Sequence, residues 1–147
     1  MRFLALLAFA MLLLPAATAQ KRPLPPIQSE RFARDLHDKN IDDVLLIYTP
    51  DATFTDPDGK SFKGIDEIRK LYEQVTSTYD SDLHLHMTSF EQTHSFGIEH
   101  GTYTETLHNR TTGVTQEIHG TYVFLHERQM DRTWLIAHQK WTVTPVK

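Results

Sequence analysis

Apolar positions recur every three to four residues between about residues 30 and 75, and every second residue from about residue 82 onward. The chain therefore predicts helices first and strands afterwards. Ser29 is placed to cap a first helix, Glu30 to Lys39, with Phe32, Ala33 and Leu36 on one face. Asn40 opens a second. Its Ile41, Val44, Leu45 and Tyr48 keep i, i+3, i+4, i+7 spacing, Asp42 and Asp43 suit the N-terminal dipole, and Pro50 stops it. Ala52 to Thr55 and Ser61 to Lys63 read as short strands. They are joined by Asp56-Pro57-Asp58-Gly59, whose Asp at i, Pro at i+1 and Gly at i+3 fit a type I turn. A third helix follows from Ile65 to Val75, with Ile65, Ile68, Leu71, Tyr72 and Val75 inward.

After Asp80 the alternation sets Leu83, Leu85 and Met87 against His84, His86 and Thr88. Long strands are expected over Asp82 to Thr93, Gly97 to His108, Val114 to His126 and Trp134 to Val143. Turns are expected at Ser95 to Gly97, Asn109 to Gly113 and Arg128 to Thr133. Three helices and then a four-stranded antiparallel meander give an α+β fold. The expected packing is a curved antiparallel sheet wrapped over the three N-terminal helices, leaving a cone open on the helix side.

The N-terminus has a different character. Arg2, an apolar run from Phe3 to Leu14 and Ala17-Thr18-Ala19 make a secretory signal of residues 1–19. Export to a periplasm or to the outside is the reading. Gln20 to Gln28 is a Pro-rich leader, and residues 29–147 form one domain. With no cysteine, packing alone must hold an exported domain together. The formal charge is −4, and one unit more negative once Arg2 is removed. That excludes a basic surface for nucleic acid and disfavours anionic membrane. The chain has eight Phe, of which Phe3 and Phe9 lie in the signal, and the remaining six with five Tyr and two Trp suit an aromatic-lined cavity.

Three stretches carry a resemblance: YTPDATFTDPDGKSFKGIDEIRKLYE from Tyr48, GTYTETL at Gly101 to Leu107, and GTYVFLHE with WLIAHQKW at the end. Over residues 29–144 the chain resembles the NTF2-like superfamily, in particular its SnoaL-like and ketosteroid-isomerase branches. That superfamily holds isomerases, cyclases, dehydratases and binding or assembly modules, so the likeness implies an NTF2-like cone and no single reaction. In the steroid isomerases the aspartate matching Asp56 is the base that moves a proton beside a ketone. It works there with an oxyanion hole of one tyrosine and one protonated aspartic acid. Here Phe32 stands in the tyrosine's place, and no carboxylate lies around Gly120 to Tyr122. Asp56 is thus either a turn former or a general base, with Tyr122 as a replacement donor.

The resemblance also implies a pocket wall. Trp141, Gln139, Ala137 and Leu135 alternate onto one face of the last strand, and the first three match residues that point into the cone. Tyr103 and Tyr122 are central in their strands, each two residues after a glycine, and Phe32, Leu36, Tyr48 and Tyr72 face them from the helices. Tyr48 and Tyr72 read as core. The wall suits a small, mostly apolar molecule with one or two polar handles. His84 and His86 form an H-x-H pair, too little on its own to make a metal site. No metal or cofactor is expected. The likeness further implies a homodimer through the outer sheet face, where Thr102, Thr104, Thr121 and Val123 lie.

Overall fold

A computed structural model describes residues 28–145; the expected secretory signal and the leader before Gln28 lie outside the described residues. Three helices, α1 (Gln28–His37), α2 (Ile41–Leu45) and α3 (Ile65–Thr78), cover one face of a six-stranded sheet. The strands are β1 (Tyr48–Thr55), β2 (Ser61–Lys63), β3 (Tyr79–Gln92), β4 (Phe96–Asn109), β5 (Thr115–Arg128) and β6 (Trp134–Val143), in the order β2-β1-β6-β5-β4-β3. All neighbours are antiparallel except β1 and β6, which run parallel, so the sheet is mixed. The α+β cone is the fold. Among the described residues no helix is long and apolar enough to cross a membrane.

Most element boundaries shift by a few residues from the sequence reading, α3 for instance running on to Thr78, and two of the shifts change a residue's role. α1 begins at Gln28, so Ser29 is inside it rather than capping it. α2 is five residues long, and Tyr48 already belongs to β1. The spacing of Ile41 to Tyr48 does fit a helix, but the Ile136 N–H donates to the Ile47 carbonyl at 2.7 Å and draws the chain into the sheet. Pro50, which lacks an N–H, falls where the β1–β6 register shifts, between Tyr48 and Thr53.

The turn of residues 56–59 forms as expected. Gly59 N–H donates to the Asp56 carbonyl at 3.0 Å, and Gly59 takes φ +84°, which a residue with a Cβ adopts only at a cost. α3 follows from Gly64, and Glu67 reaches back to accept the Lys63 N–H at 2.8 Å, satisfying a donor just before the helix.

The core lies between the helices and the concave sheet face. Phe32 packs on Tyr72, Phe124 and Trp141 with ring centroids 5.8, 6.1 and 6.0 Å away. Val44, Ile47, Ile68, Phe124 and Ile136 are fully buried around them. Burying side chains of this kind contributes about 1.5–3 kcal/mol each, so the helices are held chiefly by what they cover.

Candidate functional site

Alternation places Glu99, Gly101, Tyr103 and Glu105 on the concave face of β4, and Gly120, Tyr122, Phe124 and His126 on that of β5. The two glycines face the two tyrosines across the ladder: Gly101 pairs with Tyr122 and Tyr103 with Gly120. A Cβ on Gly101 would lie 2.3 Å from the Tyr122 ring. One on Gly120 would lie 2.6 Å from the Tyr103 ring and 1.8 Å from the Thr142 carbonyl oxygen. Each glycine is therefore the floor on which a tyrosine ring rests.

Between α1, α3 and the sheet is a cavity of about 260 Å³. Its apolar lining includes Phe32 and Leu36 from α1, Leu71 and Tyr72 from α3, and Leu83 and Trp141 from β3 and β6. Its polar lining includes Asp56 at the end of β1, Tyr103 and Glu105, with the phenols of Tyr72 and Tyr79 also on the wall. Four of the residues expected to form the wall are there: Phe32, Leu36, Tyr103 and Trp141. Tyr72, read as core, is also part of the wall.

The other three are elsewhere. Tyr122 is not among the lining residues; its hydroxyl donates to Glu99 Oε1 at 2.9 Å, and Glu99 Oε2 is 3.1 Å from His126 Nε2. All three side chains are buried. A hydroxyl committed to a carboxylate in this way does not serve as a donor to a molecule in the cavity. Burial by itself pushes the Glu99 carboxyl up, but hydrogen bonds with His126, Ser29 and Tyr122 outweigh it and leave it below the usual carboxylate range. Burial and the Glu99 charge both push the Tyr122 phenol up.

Gln139 is buried at the back of the wall, where Oε1 accepts from the Tyr48 hydroxyl, itself 2.7 Å from that of Tyr72. Burial raises both phenols. Ala137 does not line the cavity either. The β5–β6 register passes from Leu125 opposite His138 to His126 opposite Ile136, so Ala137 is the extra residue of a bulge. The bulge changes the facing of β6: Trp134 and Ile136 are buried before it, Gln139 and Trp141 after it, and Leu135 is only half-buried.

Asp56 lines the cavity, and its Oδ1 also accepts the Lys60 N–H at 2.8 Å, closing the turn. Turn formation and cavity access coexist in one side chain.

Glu105 is the residue that the sequence reading missed. It stands two residues after Tyr103 in GTYTETL, on the same face, so alternation alone could have found it. Ser81 Oγ donates to its Oε1 at 2.6 Å. Burial pushes its carboxyl above the ordinary range, and the Ser81 bond offsets only part of that. Burial and the Glu105 charge raise the Tyr103 phenol. His84 and His86 are exposed, His84 lying 3.3 Å from Asp82. Among the described residues no group of three or more His, Cys, Asp or Glu is arranged to hold a metal ion.

The SnoaL-like domain family matches residues 29–134, most of the chain. The chain belongs to that family. A ketosteroid isomerase-like protein from Erwinia carotovora atroseptica has the same fold, with TM-score 0.74 and 19% identity, over 80% of this chain and 92% of that one. A conserved protein from Planctomyces limnophilus has TM-score 0.74 and 17% identity over 80% and 91% of the two chains. An NTF2-like superfamily protein from Salmonella enterica has TM-score 0.72 and 17% identity over 81% and 87%. These likenesses establish the NTF2-like fold of this SnoaL-like domain. No curated protein matches the chain.

Proposed function

We propose that this SnoaL-like domain is an exported binding protein that holds a small, mostly apolar molecule in its cone. One observation carries the reading: the cavity of about 260 Å³ has a predominantly aromatic and aliphatic wall interrupted by Tyr103, Glu105 and Asp56. That volume is near the lower end of ligand pockets, about 300–1,000 Å³, and suits a molecule of one or two rings. Titration with an environment-sensitive aromatic dye tests the reading. Saturable binding is expected, with loss of at least about tenfold in affinity when Leu71→Trp fills the space, the scale on which about 1.4 kcal/mol is tenfold. Equal dye binding by the Leu71→Trp protein, with its fold intact by circular dichroism, would place the dye elsewhere and end the proposal.

A second reading is an isomerase- or cyclase-type enzyme with Asp56 as general base. It is favoured by the presence of two carboxyl groups on one cavity in unequal surroundings, Glu105 raised by burial and Asp56 at the turn. Tyr122 has no part in it, because its hydroxyl serves Glu99. Catalysis by Asp56 requires turnover to fall by orders of magnitude in Asp56→Asn; unchanged turnover excludes it.

A further inference from the structure

The cavity has an unbalanced charge inventory. Among the described residues two carboxyl groups line it, Asp56 and Glu105, and no lysine, arginine or histidine does. A carboxylate or phosphate ligand would meet only like charge there. Glu105 has one protein partner among the described residues, the Ser81 hydroxyl, and no basic side chain pairs with it.

A second observation is independent of the acids. Tyr103 is 4% exposed and lines the same cavity, yet its hydroxyl makes no hydrogen bond among the described residues. The phenol is not sealed off by protein, so its hydroxyl is open to the cavity. It stands two residues from Glu105 on one strand face, so one small group can reach both. Trp141 is placed differently. Its Nε1 is occluded within the protein and without a partner, so the indole gives the cavity carbon surface rather than its N–H. Phe32, Phe54 and Tyr72 add further aromatic rings. Aromatic rings attract a cation through their quadrupole, and a carboxylate of low solvent access forms its strongest hydrogen bonds with one.

We infer that the cavity selects a small lipophilic amine, whose ammonium group is held by Glu105 and Tyr103 while its apolar body lies against the aromatic wall. This rests on the binding reading above and names the chemical class it would take. Asp56, half-buried at the turn, adds negative potential at the same cavity. Burial favours the neutral form of Glu105 in the empty cavity, and an ammonium ion beside it restores the carboxylate. The opposite chemistry, a neutral Glu105 donating to a ketone, uses the same side chain and is the rival outcome.

Calorimetric titration of the purified protein with four matched probes separates the possibilities: 2-phenylethylamine, 2-phenylethanol, acetophenone and phenylacetate. The amine is expected to bind at least about tenfold more tightly than the alcohol, a difference of about 1.4 kcal/mol, and phenylacetate not to bind. Glu105→Gln should erase the preference for the amine over the alcohol, because a neutral amide keeps the shape of the wall and removes the charge that discriminates. Tyr103→Phe provides a second variant should Glu105→Gln fail to fold, and it should narrow the same gap. Alcohol or acetophenone binding as tightly as the amine overturns the inference and leaves the binding reading standing. An undiminished amine preference in both variants also overturns it. Failure of all four probes counts against both readings.

Discussion

At the scale of single residues, the buried Glu99, Tyr122 and His126 contrast with Glu105. Both acids are on one face of β4, six residues apart, and burial penalises the charge of each. Glu99 has three partners that reverse the penalty, whereas Glu105 has only Ser81. The two should therefore respond oppositely to acid. Glu99 has a folded-state pKa below its unfolded one, so its contribution to stability is present above the ordinary carboxylate range and is lost as pH falls through the folded value. Glu105 has a raised folded pKa, so the folded state binds its proton more tightly and acidification favours folding at that site. Urea unfolding from pH 7 to pH 3 checks this. Glu99→Gln is expected to lose about 1–3 kcal/mol at pH 7, since it disturbs a buried hydrogen-bonded carboxylate, and to lose less stability than the parent on acidification. Glu105→Gln should lose more than the parent over the same range, because it lacks a group whose protonation favours the fold. A parallel pH dependence of the parent and Glu99→Gln would contradict the assignment.

The glycine and tyrosine pairs act at the scale of elements. Gly101 and Gly120 leave room for the rings opposite and so permit the β4–β5 register. Gly120→Ala forces a methyl carbon to 1.8 Å from the Thr142 carbonyl oxygen, which is backbone and cannot step aside. It should destabilise by more than about 3 kcal/mol or prevent folding, as overpacking at a rigid site does. Gly59→Ala meets nothing within 4 Å and has only its φ of +84° against it, so roughly 1 kcal/mol is expected. Thermal unfolding of the two variants gives the ordering, and a milder effect at Gly120 than at Gly59 would refute the account.

Periodicity reads these elements well where one face is buried. The long strands, the turn of residues 56–59 and most of α3 follow from it, because a two-residue period and a Pro-Gly turn have few other solutions. It fails where tertiary contacts decide. Tyr48 keeps a helical spacing but is captured by β6. Ala137 keeps strand alternation with Trp141, yet a bulge intervenes, and an inserted residue leaves no mark in alternation itself. The same holds for the site. Tyr103 and Trp141 follow from alternation and likeness together, and Phe32 and Leu36 from helical spacing. Glu105 was legible in GTYTETL, but a polar residue on an apolar face is easily taken for solvent-facing. The commitments of Tyr122 to Glu99 and of Gln139 to Tyr48 depend on residues distant in sequence.

The cone leaves the outer sheet face to be explained at the scale of the whole molecule. Thr102 and Thr104 of β4 and Thr121 of β5 are exposed on that side, with Val123 half-buried beside them. Thr102 pairs directly with Thr121, and the Thr121 hydroxyl is 2.6 Å from that of Thr142. We propose that two copies meet across this row, as the superfamily likeness implies. Short hydroxyl side chains permit close approach of two sheets, and they carry no charge that would have to be desolvated. Thr104→Arg then sets a charge against its symmetry-related copy and should shift the protein from dimer to monomer in light scattering. Because Thr104 and Glu105 point to opposite faces of β4, ligand affinity in the cavity should change by less than about twofold, the result expected of sites that share no partners. A dimer that survives Thr104→Arg, Thr121→Arg and their combination rules out this face. A loss of cavity binding on monomerisation would instead mean that the helices need the second copy to hold the cone open.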